Sequence, residues 1–402
     1  MNVTQSTLIS GFVKSGFEAV RETFVENFEN RDELGAACCV YHEGEKVVDL
    51  WGGIRNEATG EPWEEDTMVL VWSTTKGLSG LAMALAHSRG LFEYDKPVSS
   101  YWPEFAQQGK EKITVRQLMA HQAGLLAFDE LGDKATIADP DRLAVILARQ
   151  KPAWKPGTRH GYHALTLGFY QSELLRRVDP KGRSLGQYFQ DEIAAPLDLD
   201  FYIRLPEDIP NSRLATLREP EFGLSAMRSA PIRFILAVMN PRSAIRRALV
   251  GTEYCLDEER IYTRNYEVPS GGGVGTARAI AHAYSVFATG GKELGLEPET
   301  IEELKAPARP PSKGLRDEAL KTDSYYSLGF ERPGPGDPFG SPSSFGMPGT
   351  GGSFGFADPQ NKIGYGYVLN GLGTSFPHDP KEVALRRAMY DSIGVPDPFH
   401  TV

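Results

Sequence analysis

The chain has 402 residues, 41% of them hydrophobic and 24% charged, which is enough ordinary globular sequence for two core-bearing units or one domain with a large insertion. A formal net charge of −10 argues against nucleic acid or an anionic membrane surface as the main partner, because phosphate is repelled. The same charge disfavours a strongly anionic substrate unless a local basic pocket offsets it.

No apolar h-region or small-residue cleavage site opens the chain, and no stretch reaches the roughly 18 apolar residues of a membrane span. A soluble, cytoplasmic protein is expected. Phe17, Val20, Phe24 and Phe28 recur at helical spacing among Glu18, Arg21, Glu22 and Glu26, which predicts an amphipathic first helix. Two apolar runs, 36–41 and 47–51, flank a turn at Gly44 and predict a β-hairpin. Cys38 and Cys39 lie in the first run and Cys255 stands far away; an odd count with two adjacent gives no disulfide framework and no metal spacing. Buried structural thiols are the expectation.

Leu78, Leu81, Ala82, Leu85 and Ala86 follow helical spacing, and Gly77 and Gly80 would weaken that helix unless it is packed and buried. From about residue 91 to 265 the pattern is mostly helical, as at 142–150 and 165–177. Pro- and Gly-rich stretches at 306–314 and 332–344 predict surface loops. Strand patterns return at 354–357 and 363–369 around Asp358-Pro359-Gln360-Asn361, and a helix closes the chain over 381–392. Strand-rich ends around a helical middle predict an α/β fold: a sheet domain from 1–90 plus 266–402, and a mainly helical insert over 91–265.

The chemistry centres on Ser73-Thr74-Thr75-Lys76. Residues three apart on a helix share a face, so Ser73 and Lys76 would lie side by side. A serine hydroxyl is a weak nucleophile until a neighbour takes its proton, and a neutral lysine amine can do so. A helix N-terminus and burial both disfavour an ammonium there. The Ser73 N–H is then placed as half of an oxyanion hole. By itself Ser-x-x-Lys arises by chance about once in a chain this long, so the tetrad needs context.

Four downstream blocks supply it: Ile113-Thr114-Val115-Arg116-Gln117-Leu118-Met119-Ala120-His121-Gln122-Ala123-Gly124-Leu125, Gly161-Tyr162-His163-Ala164, Ser270-Gly271-Gly272-Gly273, and Gly346-Met347-Pro348-Gly349-Thr350-Gly351-Gly352-Ser353. In this order and spacing the chain resembles the serine β-lactamase and penicillin-binding-protein superfamily from about residue 35 to 375. It is most similar to the class C-like branch that includes the family VIII carboxylesterases. The resemblance implies an antiparallel sheet flanked by helices with an inserted helical domain. It implies Ser73 as the acylated nucleophile, Lys76 as its proton acceptor and Tyr162, from the family's Tyr-x-Asn motif, as the proton shuttle. Met347-Pro348-Gly349 matches the family's Lys-Thr-Gly strand, and the Thr350 N–H just after it would complete the oxyanion hole. Two positions depart from the family: Ala164 replaces the Asn of Tyr-x-Asn and Met347 replaces the Lys of Lys-Thr-Gly. Such a site should prefer neutral, hydrophobic esters to β-lactams, although plain core packing also accounts for Met347.

Other motifs are weaker. Gly351-Gly352-Ser353-Phe354-Gly355 fits Gly-x-Ser-x-Gly, but that motif needs a strand turning into a helix, and strand pattern follows here. None of the eight histidines forms a metal pair, so no metal and no cofactor is expected. His121 falls where the family has a conformation-supporting histidine, and His163 is a candidate to line the substrate pocket beside Met347 and Gly349. The leading reading is a serine ester hydrolase acting on small short- or medium-chain esters. An acyltransferase using the same acyl-enzyme, a β-lactamase or D,D-peptidase, and a non-catalytic binding protein of the same fold stand as alternatives; the oligomeric state is open.

Overall fold

A computed structural model describes residues 9–396 except 130–132, 220–235, 237–238, 241–242, 336 and 376–377. Part of the helical middle read from the sequence, over 220–242, thus lies largely outside the described residues. The principal elements are β1 (Ser10–Val13), α1 (Glu18–Asn30), β2 (Gly35–His42), β3 (Glu45–Asn56), α2 (Thr74–Ser88), α3 (Pro140–Arg149), α4 (Thr166–Val178) and α5 (Ala277–Ala288). They continue with β4 (Tyr326–Ser327), β5 (Phe330–Glu331), β6 (Phe345–Pro348), β7 (Phe354–Asp358), β8 (Ile363–Leu369) and α6 (Pro380–Ser392). The main sheet runs β1-β3-β2-β8-β7-β6-β5-β4, with Glu61–Pro62 pairing beside β3, and its neighbours are antiparallel. Strands from both ends of the chain therefore meet at the β2–β8 pair, where Cys39 lies opposite Gly366.

Side chains alternate across the strands, so the two adjacent cysteines serve opposite faces. Cys38 packs with Phe24 of α1 and Met389 of α6, whereas Cys39 faces the larger core shared with α2 and α5. All three cysteines are buried and free. Burial pushes the Cys255 thiol up to about 12, which leaves it a poor nucleophile at neutral pH. Residues of the 91–265 stretch, among them Trp102, Tyr170 and Phe189, join one contiguous core with α2, α5 and the inner face of the sheet. No helix among the described residues is long and apolar enough to cross a membrane.

α5 lies directly on the sheet because glycines line its track. A Cβ on Gly364 would stand 2.3 Å from the Ala281 carbonyl oxygen, and one on Gly366 2.4 Å from that of Ala277. Both obstacles are backbone, so neither can swing aside. Gly364→Ala should therefore destabilise the protein by about 1–3 kcal/mol through overpacking, read as a lower unfolding midpoint in denaturant. An unchanged midpoint would mean that α5 has room to retreat.

Candidate active site

The turn before α2 builds the site. Val69–Leu70 pairs with Val274–Gly275, and the Val71 N–H donates to the Gly273 carbonyl at 2.9 Å. The chain then turns through Trp72 at φ 47°, a left-handed conformation unusual for a bulky side chain and worth of order 1–3 kcal/mol in strain. Thr75 holds that turn: its hydroxyl donates to the Trp72 carbonyl and accepts from the Gly273 N–H at 2.9 Å. Gly273 has no side chain because a Cβ there would meet Thr75 Oγ1 at 2.6 Å. Ser73 follows at the N-cap of α2.

Lys76, one turn on, is fully buried, with Nζ 3.0 Å from Ser73 Oγ, 2.6 Å from the Ala164 carbonyl and 2.8 Å from the Ser270 carbonyl. Burial lowers its pKa from 10.5 to about 7. Three acceptors surround Nζ: the two carbonyls and Ser73 Oγ. Once deprotonated, the amine can keep its two N–H groups on the carbonyls and turn its lone pair to the Ser73 hydroxyl. The amine also lies 4.7 Å from the centre of the Tyr162 ring. Burial raises the Tyr162 hydroxyl above the usual phenol range, opposed by its hydrogen bond with Ser73. Ser73, Lys76 and Tyr162 are thus brought together.

The end of β6 comes up beside Ser73. Gly349 fits because a Cβ would lie 2.3 Å from the Val71 carbonyl oxygen. Its N–H is spent on the Ser353 carbonyl at 2.7 Å. The N–H groups of Ser73 and of Thr350, which is exposed, donate to no backbone carbonyl among the described residues. Met347 is 1% exposed and turns toward α2, where a Cβ on Gly77 would stand 3.4 Å from its own Cβ. That is core packing rather than an open apolar edge, because alternation along β6 sends position 347 inward. The Ala164 side chain packs with Leu126, Ala127 and Ile245, while its carbonyl holds Lys76.

His163 does not line the pocket as the sequence reading expected. Its ring is fully buried, with Nδ1 2.6 Å from the Gly161 carbonyl and Nε2 accepting from the Leu125 N–H at 2.9 Å, so neither nitrogen is left for substrate. Ser353 sits just before a strand, not a helix, and is buried. Its hydroxyl donates to the Val71 carbonyl at 2.9 Å and lies 3.1 Å from Thr74 Oγ1, tying the β6–β7 loop to the nucleophile turn. The acceptors of Lys76, Ala164 O and Ser270 O, were missed from sequence, because a carbonyl belongs to every residue type. The Ser270-Gly271-Gly272-Gly273 block was the available signal.

A cavity of about 450 Å³ opens beside this centre, lined in part by Leu126, Ala127, Trp154, Arg159, Arg247 and Lys321. It does not reach Ser73, but Leu126, Ala127 and Trp154 belong to the apolar cluster against which Tyr162 packs. Among the described residues no three His, Cys, Asp or Glu side chains gather to hold a metal.

Comparison with known proteins agrees with this architecture. The chain is 30% identical over 370 residues to esterase/beta-lactamase LipL of Mycobacterium tuberculosis, an alignment spanning 90% of this chain and 83% of that protein. The crystal structure of a penicillin-binding-protein homologue from Caulobacter crescentus is 34% identical with a TM-score of 0.82, covering 96% of this chain and 99% of that one. The crystal structure of a family VIII carboxylesterase is 34% identical with a TM-score of 0.80 and the same coverage. The model of the Beta-lactamase family matches residues 20–388. Fold, sequence and comparison agree that the chain belongs to the beta-lactamase family.

Proposed function

We propose that the protein is a carboxylic ester hydrolase working through an acyl-serine intermediate on neutral short- or medium-chain esters. The observation that carries this reading is the buried Lys76 amine 3.0 Å from Ser73 Oγ, with its pKa lowered to about 7 by burial and two carbonyls to hold its N–H groups when it is neutral. Lys76 takes the Ser73 proton as Oγ attacks the ester carbonyl, and the N–H groups of Ser73 and Thr350 hold the developing oxyanion. The Tyr162 hydroxyl passes a proton to the leaving alkoxide. Water, activated by the same pair, then releases the acid and frees Ser73. Relatives named as esterases, LipL and the family VIII carboxylesterase among them, support the substrate class.

Specificity follows from what the site lacks. Met347 packs against α2 and Ala164 into its apolar cluster, so neither position offers a ligand a polar partner, and a β-lactam carboxylate forgoes a charge-assisted hydrogen bond of about 1.5–3 kcal/mol. Without an amide at position 164 it forgoes roughly 1 kcal/mol more, and together these amount to on the order of 100-fold. p-Nitrophenyl esters of graded acyl length should therefore be cleaved with kcat/KM at least about 100-fold above that for a chromogenic cephalosporin. A cephalosporin turned over faster than every simple ester would overturn this reading in favour of a β-lactamase.

A further inference from the structure

Beneath Tyr162 lie two histidines that the chemistry above does not use. His163 is fixed as the Nδ1–H tautomer: the Leu125 N–H must donate to Nε2, so the ring proton sits on Nδ1 and goes to the Gly161 carbonyl. The main-chain N–H of His163 in turn donates to His121 Nδ1 at 3.0 Å. His121 then carries its proton on Nε2, a buried atom with no hydrogen-bond partner among the described residues. Its ring lies 5.2 Å from that of Tyr162 and 4.4 Å edge-on to Tyr326, which itself stacks 6.1 Å from Tyr162. His121 sits at φ 58° in the turn that follows the short helix Val115–Met119, a conformation that needs a reason in a residue other than glycine.

Every one of these bonds ends on the main chain of Gly161, His163 or Leu125. Between Gly161 and Ala164 the chain delivers two parts of the site: the Tyr162 side chain and the carbonyl that takes one Lys76 N–H. A left-handed turn and an unpartnered buried N–H are costs that stability alone would not select. We propose that His163, whose main chain is held in turn by His121, is a positioning residue for proton delivery, setting the Tyr162 hydroxyl against the leaving group. The assignment rests on the ester-hydrolase reading above. Neither ring touches substrate.

A leaving-group comparison separates this role from a merely structural one. p-Nitrophenolate departs without a proton, whereas an alkoxide needs one from Tyr162, and kcat/KM reports only the steps through acylation. His163→Leu should lower kcat/KM about 100-fold for an alkyl ester and less than about tenfold for the p-nitrophenyl ester of the same acid, in line with the usual worth of general acid catalysis. His163→Gln, which returns an acceptor near Nε2, should restore most of the alkyl-ester rate. In case the leucine variant does not fold, His121→Asn and His121→Gln repeat the test. Asparagine tolerates the left-handed turn and places an oxygen near Nδ1, so it should retain activity, whereas glutamine displaces that oxygen and should show the selective loss. Equal losses on both esters, or no loss in folded variants, would overturn the assignment. Wild-type protein that cleaves neither ester would instead overturn the ester-hydrolase reading itself.

Discussion

Ser73→Ala is expected to lose hydrolysis by about four orders of magnitude or more while keeping its fold, because Ser73 carries the hydroxyl that is hydrogen-bonded to Lys76. The side chain lost is small and only half-buried at the open end of α2, so little packing goes with it. Residual turnover would come from the oxyanion donors alone. Ser353→Ala is the control. It removes the hydrogen bond to the Val71 carbonyl and the contact with Thr74, two struts of the same turn. That variant should lose about 0.5–1.5 kcal/mol of stability and keep most of its activity. The two are checked together by ester turnover and by labelling with a fluorophosphonate, which should modify wild type and Ser353→Ala but not Ser73→Ala. Labelling of Ser73→Ala would return the nucleophile to Ser353 and sink the mechanism.

The elements that frame the site were legible because their patterns are local. The Phe17, Val20, Phe24 and Phe28 spacing gave α1, and the two runs around Gly44 gave the β2–β3 hairpin. The run from Ile363 to Leu369 gave β8. Ser73 and Lys76 were legible for the same reason, since three residues on one helix fix their neighbourhood. What sequence did not yield is set by long-range register. Lys76 draws its acceptors from positions 88 and 194 residues away, and those acceptors are backbone atoms. Met347 illustrates the limit within one strand. Its chemistry was readable, but whether it faced substrate or α2 depended on the pairing of Met347 with Gly355. His163 failed in the opposite way: proximity to Tyr162 in sequence suggested the pocket, yet the ring turns under the main chain to hold it.

Lys76→Arg should be nearly inactive, down by about 10²–10⁴-fold, because a guanidinium keeps its proton at any working pH and has no lone pair for Ser73. The added bulk also has nowhere to go in a fully buried position. In the wild type the same amine sets the acid limb of the rate profile. With its pKa lowered to about 7 by burial, activity should fall about tenfold per pH unit below neutrality as Nζ is protonated and its lone pair is lost. Stability carries the same signature with a definite sign. Unfolded, the amine titrates near 10.5; folded, near 7. Between those values the unfolded chain holds a proton that the folded chain does not, so this group's contribution to stability rises with pH across that window and is flat below it. Lys76→Met, of similar length and uncharged, should erase that part of the pH dependence and raise stability near neutral pH while remaining inactive. Denaturant unfolding of wild type and Lys76→Met at pH 7 and pH 9 measures the difference directly, and the gap between the two proteins should narrow at the higher pH. A gap that widened, or a rate profile flat down to pH 5, would mean that Lys76 is charged in the folded protein and that the base lies elsewhere.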